Sequence, residues 1–325
     1  MHLCDKKESK VYGTGTVGEF IFYWLNNIVK YGVKNSTFSN HVHYSEKWII
    51  PYLNQIKLKT LTAEKVQQFI NHLTDNGLSA GSVRNVYRTL SAALKKAEIY
   101  GYLQHNPNTE IILPENKPKI AKTLSLDNQK KLENAAKQET NGLGLVILLA
   151  LYAGLRIGEI CALAWDDVDF EKMTLSVSKT RQRIQHPESV TEKTKTCVTT
   201  GRAKSNSSER IIPLPTFLLT CLQEQKNNST SNYIFTYKDR LLEPRLLQYR
   251  FKKLLKVAEI EPINFHALRH TFATRCMEKC IDIKTISELL GHSSAKITLD
   301  LYGHSRFEQK QIAMNNLQQL FLDSR

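Results

Sequence analysis

The sequence predicts a mainly helical protein of two domains, the second carrying a small antiparallel β-sheet. Between residues 16 and 104, four segments repeat apolar side chains at helical spacing and are joined by short links. Residues 105–122 then place Pro107, Pro114 and Pro118 among lysines, the composition of an extended basic linker. Past that linker the helical pattern is broken by two alternating stretches, residues 174–178 and 209–214, which read as strands on either side of a polar, basic connection.

The first helix opens on Thr16-Val-Gly-Glu19, a capping box, and carries Phe20, Ile21, Trp24, Leu25, Ile28 and Val29 at helical spacing. A second spans about residues 37–54 through Trp48 and Ile49. A third follows Thr62 with Val66, Phe69, Ile70 and Leu73, and a fourth follows Ser79 with Val83, Val86, Leu90 and Leu94. Asn76-Gly77 supplies the turn between the last two, and His105-Asn-Pro107 ends the fourth. The expected layout is a polar lead over 1–15, a helical domain over 16–104, the linker over 105–122, a second domain over 123–305 and a tail helix over 306–325.

In the second domain Ser125 caps a helix, and an apolar helix then runs to Tyr152. Gly154-Leu-Arg156-Ile-Gly-Glu159 follows, in which Arg156 is the only charge between Glu139 and Glu159. A lone arginine beside a glycine turn among apolar residues either snorkels to water or has a buried anionic duty. Glu159, one turn on, suits a partner that orients an arginine better than a catalytic acid. Between the two strands Lys179, Arg181, Arg183, Lys193, Lys195, Arg202 and Lys204 face only Glu188 and Glu192, a basic hairpin with a long tip. Helices over 216–226 and 244–258 come next, separated by a short strand at residues 233–235.

Residues 264–303 carry the spacing that points to phosphate chemistry. His266 and Arg269 lie three apart and leave one face of a helix turn, so that both reach a single anion. Gly291 is a helix C-terminal signal that puts His292 on a turn, and Tyr302 follows ten residues later. In the tail, Phe307, Ile312, Met314, Leu317, Leu320 and Phe321 form an apolar stripe that needs a surface to cover, at home or on a neighbour.

Across 325 residues the chain has a formal net charge of +14 and a pI near 9.4, which favours polyanionic partners, nucleic acid before an anionic membrane surface. Lys57, Lys59, Arg84, Arg88, Lys95 and Lys96 in the helical domain, Lys117 and Lys119 in the linker, and Lys179, Arg181 and Arg202 beyond it are candidate phosphate contacts; a solvated face is the alternative for each. The start of the chain is polar and its longest apolar run, residues 143–153, is too short to span a bilayer. Six cysteines without a CxxC pair indicate neither zinc nor a disulfide framework, and a reducing cytoplasm is expected. Cys276 and Cys280 with His270 offer a metal alternative, against which buried thiols are preferred.

His266-Ala-Leu-Arg269-His270, then Leu289-Leu-Gly-His292, then a tyrosine ten residues on, closely resemble the C-terminal motif of the tyrosine recombinases, the phage-integrase family of site-specific DNA recombinases. Gly154-Leu-Arg156-Ile-Gly-Glu159-Ile matches that family's first arginine motif. The resemblance implies a four-helix SAM-like core-binding domain followed by a mixed α+β catalytic domain, closing on opposite faces of a duplex. It implies that Tyr302 attacks the scissile phosphate to give a covalent 3′-phosphotyrosyl intermediate, with Arg156 and Arg269 on the nonbridging oxygens. Lys204, six residues before Arg210, would protonate the leaving 5′ oxygen; Lys195 and Lys193 stay open, because this connection is longer than the family's tight hairpin. His266 would take or relay the tyrosine proton and His292 would hydrogen-bond the phosphate.

Exchange between duplexes through a Holliday junction implies a homotetramer assembled on double-stranded DNA target sites, with the tail docking on a neighbouring protomer. An excisionase or a host DNA-bending protein is a further partner of such systems, and integration or excision of a mobile element in a bacterial cytoplasm is the implied role. No metal or other cofactor is expected: the chain has no GxxxxGK[ST] loop and no acidic metal cluster. A type IB topoisomerase, which relaxes supercoils without site preference, is the nearest enzymatic rival. A purely architectural DNA-binding protein is the rival from another class, and it needs no nucleophile beside two arginines.

Overall fold

The computed structural model describes residues 15–302 except 109, 117–121, 140–141, 186–195, 203–207 and 239, together with residues 311, 314, 315 and 318. The chain forms two compact units, Met1–Pro118 with Ile184–Cys197, and Lys119–Arg183 with Val198–Arg325.

In the first unit the Thr16 hydroxyl accepts the Glu19 N–H at 3.2 Å while the Glu19 carboxylate accepts the Thr16 N–H at 3.1 Å. This reciprocal cap starts α1 (Val17–Trp24), whose Val17, Phe20, Ile21 and Trp24 are buried. The helix continues through a π turn, Leu25–Val29, into α2 (Lys30–Gly32). In the same way α3 (Asn35–Tyr44) passes through the π turn Ser45–Ile49 into α4 (Ile50–Leu53). Each π turn adds a residue to the helical repeat and so shifts the apolar stripe round the axis. Thr62 and Ser79 cap α5 (Ala63–Asp75) and α6 (Ala80–Ile99), with Gly77 left-handed at φ +75° between them. The four rods share one core through Phe20, Ile49, Phe69, Leu90 and Leu94.

Residues 111–116 have no regular secondary structure but are laid along this unit. Arg84 donates Nε and Nη2 to the Pro114 carbonyl at 3.2 and 3.0 Å, and Gln67 exchanges two hydrogen bonds with the backbone of Ile112. Ile111 and Leu113 pack on the core. Lys117 and Lys119 lie outside the described residues.

The second unit opens on α7 (Leu126–Lys137), capped by Ser125. The apolar helix expected to run to Tyr152 is α8 (Leu143–Tyr152), which left-handed Gly142 starts at φ +73°. The two rods then fold against each other, so closely that a Cβ on Gly144 would sit 2.3 Å from the Ala136 carbonyl. After the single turn α9 (Ile157–Ile160), β1 (Val168–Asp169), β2 (Thr174–Val177) and β5 (Arg210–Pro213) make an antiparallel sheet in the order β1-β2-β5, with Leu175 opposite Ile212 and Val177 opposite Arg210.

The basic connection between β2 and β5 contains a ladder of its own, β3 (Lys179–Gln185) with β4 (Thr196–Arg202). β3 carries one apolar residue, Ile184, and β4 two in succession, Cys197 and Val198, so neither shows the apolar–polar alternation of a half-buried strand. The strand expected at residues 233–235 is corrected. There Tyr233 makes one bridge to Ala164 and Ile234 bonds the Leu163 carbonyl, while the ladder forms just beyond, between β6 (Thr236–Tyr237) and β7 (Arg240–Leu241).

Then come α10 (Thr216–Asn227), which precedes β6, and α11 (Pro244–Val257), α12 (His266–Glu278), α13 (Ile283–Leu290) and α14 (Ala295–Tyr302). Buried leucines of α7, α8, α10, α11 and α12 and the inner face of the sheet form one core. The tail over 306–325 lies outside the described residues except for the four helical positions at 311, 314, 315 and 318. Cys276 is buried, but Cys280 is exposed in the left-handed turn that ends α12, which corrects the reading of both as buried thiols. Among the described residues no helix is long and apolar enough to cross a membrane, and no three His, Cys, Asp or Glu side chains form a metal cluster.

Candidate active site

Gly154 sets up the site. At φ +63° it turns the chain out of α8, and a Cβ there would lie 2.6 Å from the Phe272 ring and 3.0 Å from the Leu290 side chain. Two residues on, Arg156 is the N-cap of α9, and Glu159 at the third helical position accepts its backbone N–H at 2.8 Å and its Nη1 at 2.7 Å. Arg156 Nη2 donates to the Gly291 carbonyl at 3.2 Å. The Arg156 side chain is 34% exposed, whereas that of Glu159 is 3%.

A second arginine closes on the same carboxylate. Arg210, the first residue of β5, donates Nη1 and Nη2 to the two Glu159 oxygens at 3.2 and 3.0 Å and Nε to the Leu289 carbonyl at 2.6 Å. Burial pushes the Glu159 carboxyl up, but the hydrogen bonds and charge of Arg210, then Arg156, more than offset it and hold the group below its ordinary value. Arg269 reaches the same place from α12: buried, with 2% exposure, it donates Nη1 to the Gly154 carbonyl at 2.8 Å and Nη2 to the Leu290 carbonyl.

The histidines surround this cationic centre. His266 begins α12 with its outer face in solvent and its ring edge-on to His270, centroids 4.6 Å apart. Partial burial, then His270, Arg269 and Arg156, push His266 down to about 4. Left-handed Gly291 at φ +63° closes α13 in a Schellman turn, His292 N–H to Ser287 carbonyl at 3.0 Å, and so delivers His292 beside the arginines. His292 Nδ1 lies 2.9 Å from the Thr298 hydroxyl of α14, and burial followed by Arg269, Arg156 and His266 lowers it to about 4. Both rings are therefore neutral at neutral pH and each keeps a nitrogen able to accept a proton.

In front of Arg156 lies a cleft of about 690 Å³, lined among others by Arg181, Arg183, Arg245, Gln248 and His266 and by no carboxylate among the described residues. Gly158 lets β3 approach: a Cβ there would sit 2.6 Å from the Thr180 hydroxyl and 2.7 Å from the Arg181 carbonyl. Arg181 donates Nη1 to Thr200 at 2.9 Å, and Arg183 pairs with Glu243 at 2.5 Å. Guanidinium groups lining such a cleft, Arg156 among them, have the charge and the forked donors that an oxyanion takes.

Five of the residues singled out from sequence, Arg156, Glu159, His266, Arg269 and His292, thus meet around the C-terminus of α13. Tyr302 is the last residue of α14, and its side chain lies outside what is described; so do Lys204, Lys193 and Lys195. Other candidates lie elsewhere: Lys179 is 3.9 Å from Asp167, Arg88 bonds Asn85, Lys96 sits over the Tyr100 ring, and Lys57, Lys59, Lys95 and Arg202 are exposed. Arg210 and Arg245 were not singled out as functional from sequence. For Arg210 the signal was present, a charge entering the Ile-Ile-Pro-Leu strand.

Residues 122–309 match the phage integrase family, and residues 16–74 match the N-terminal SAM-like domain of phage integrases. A XerC-like tyrosine recombinase of Caldanaerobacter subterraneus is 30% identical, over 94% of this chain and 84% of its own. The ICEBs1 integrase of Bacillus subtilis is 28% identical, over 83% of this chain and 74% of its own. Among solved structures, the Tn1549 transposon integrase in complex with a circular intermediate DNA superposes with a TM-score of 0.79 at 19% identity, over 94% of this chain and all of that one.

Proposed function

The chain belongs to the phage integrase family, and from that premise we propose that it is a site-specific DNA recombinase working through a covalent phosphotyrosyl intermediate, in the integration or excision of a mobile element. The observation that carries this reading is the grouping of Arg156, Arg269, His266 and His292 around one helix end, with Arg156 and His266 also lining a basic cleft that no carboxylate lines among the described residues.

In the first step the Tyr302 oxygen attacks the scissile phosphorus, its proton passing to neutral His266, and the bond from phosphorus to the 5′ oxygen breaks. Lys204 supplies the proton that the departing 5′ oxygen needs. Arg156, whose side chain opens on the cleft, hydrogen-bonds a nonbridging oxygen as its charge grows. Arg269 adds its charge from the floor of the site and His292 donates a further hydrogen bond. In the reverse direction a 5′ hydroxyl of another strand attacks the phosphotyrosine and Tyr302 leaves. The phosphodiester energy is kept in the covalent bond, so no nucleotide is hydrolysed, and the guanidinium groups supply the charge that a divalent cation would otherwise bring.

Two similar proteins, the ICEBs1 integrase and the Tn1549 transposon integrase, support the mobile-element role by their names. Exchange through a Holliday junction uses four such sites, hence a homotetramer on target DNA, with an excisionase or a DNA-bending protein setting direction. In this reading the helical domain of 16–104 binds DNA and the domain of 123–305 carries the chemistry.

The test mixes the purified chain with nicked duplexes from its own genetic neighbourhood, in EDTA and without ATP, and resolves covalent protein–DNA adducts on a denaturing gel. An adduct formed by the wild type and lost in Tyr302→Phe, with DNA binding retained, is expected. Binding without adduct on every duplex would leave the architectural reading, and relaxation of supercoils without site preference would point to a topoisomerase.

A further inference from the structure

The C-terminal end of α13 is held by three arginines from three different elements. A helix leaves its last carbonyls without intrahelical donors. Here Leu289, Leu290 and Gly291 give theirs in turn to Arg210 of β5, Arg269 of α12 and Arg156 at the start of α9. His292 is the next residue.

Two of these arginines also share Glu159, and they share it completely. Oε1 accepts Arg156 Nη1 at 2.7 Å and Arg210 Nη1 at 3.2 Å, while Oε2 accepts the Arg156 backbone N–H at 2.8 Å and Arg210 Nη2 at 3.0 Å. A carboxylate has about four lone-pair sites, and here each is filled, two from each side. The division of labour follows from exposure. The Arg156 side chain is 34% exposed and faces the cleft, whereas that of Arg210 is 6% exposed, with Nε, Nη1 and Nη2 all bonded to protein.

We propose that Arg210 is a positioning residue for strand cleavage: it fixes the Glu159 carboxylate, through which Arg156 is aimed into the cleft, and anchors the helix end that delivers His292. This rests on the recombinase reading of the site. The charged and titratable groups facing Glu159 are Arg156 of its own turn, Arg210 of β5 and His266 of α12. Without Arg210 the carboxylate stays buried with two lone pairs unfilled and half of its compensating charge gone, so it takes up a proton more readily. A protonated Glu159 no longer accepts both bonds from Arg156, and the guanidinium loses its aim.

The experiment measures single-turnover adduct formation between about pH 5 and pH 8 for Arg210→Met, Arg210→Lys and Arg210→Met/Glu159→Gln. Arg210→Met is expected to be slower by roughly 10- to 100-fold, the usual cost of losing a partner that orients a ligating group, with DNA affinity retained. Its rate falls further as pH drops, an acidic limb that the wild type lacks and that disappears in the double variant, where residue 159 cannot titrate. A protein that was merely loosened would not tie its pH profile to Glu159. Arg210→Lys keeps the charge but not the fork, so it stays slow without the acidic limb; it also serves if Arg210→Met does not fold. A wild-type rate and profile in either variant, or a limb that survives in the double variant, would overturn the proposal. If the wild type forms no adduct on any duplex, the recombinase reading fails by itself. The positioning is then read from the Arg156 side-chain Nε resonance by NMR, which is expected to broaden in Arg210→Lys and which, unchanged, would refute it.

Discussion

Arg156 and Gly291 lie 135 residues apart in the chain and are joined by a hydrogen bond of 3.2 Å from guanidinium to carbonyl. One motif thereby holds the other: the arginine that faces the cleft also caps the helix whose last turn presents His292. Replacing Arg156 by alanine is expected to slow adduct formation by about 10²- to 10³-fold, or about 3 kcal/mol, the usual loss for one preorganised oxyanion donor. DNA binding should change little. Binding lost with single-turnover cleavage preserved would contradict the role.

The histidines set a pH dependence with a definite sign. His266 and His292 are each pushed down to about 4 by burial and by the arginines, against an unfolded value near 6.5. Between those values the unfolded chain binds more protons than the folded one, so stability falls as pH drops from about 6.5 towards 4. For the same reason adduct formation should show no histidine limb near pH 6.5. Titration of the ring carbon protons by NMR checks it; a His266 midpoint above about 6 would show that the cationic surroundings do not act on it.

Gly154 tests the packing beneath the site. Its φ of +63° disfavours any side chain, and a Cβ would drive into Phe272 and Leu290. Gly154→Ala should cost about 3 kcal/mol, from a left-handed residue and an overpacked contact together. Thermal unfolding would read this as a loss of several degrees. A Tm equal to that of the wild type would mean that α12 and α13 give way freely, which their buried Phe272, Ile286 and Leu290 argue against.

What the sequence made legible was local. Thr16, Thr62, Ser79 and Ser125 each announce a helix start because a cap is a contact across three residues, and Gly291 announces a helix end for the same reason. The basic connection reads as a hairpin from its charges and its place between two strands, but the bounds of β3 and β4 within it do not, because neither alternates apolar with polar residues. The Glu159–Arg210 pair spans 51 residues, so nothing near either residue names the other. Arg156, Arg269 and His292 stood out through motif spacing, whereas the partners of Arg210, Glu159 and the end of α13, became legible only in the fold.

Arg245 offers the cleanest separation of binding from chemistry. It lines the cleft from the first turn of α11, and Gln248 lies one turn further along the same face. If the cleft holds a DNA backbone, Arg245→Ala should weaken binding and reduce the slope of log affinity against log salt by about one. The rate of adduct formation at saturating DNA should stay within about threefold, because no bond to the reacting phosphate is removed. Arg183→Ala is the informative contrast, since it also leaves Glu243 unpaired beside the cleft and adds a repelling carboxylate. It should therefore weaken binding more than Arg245→Ala does. Equal affinities and salt slopes in the wild type and both variants would place the duplex elsewhere on the protein.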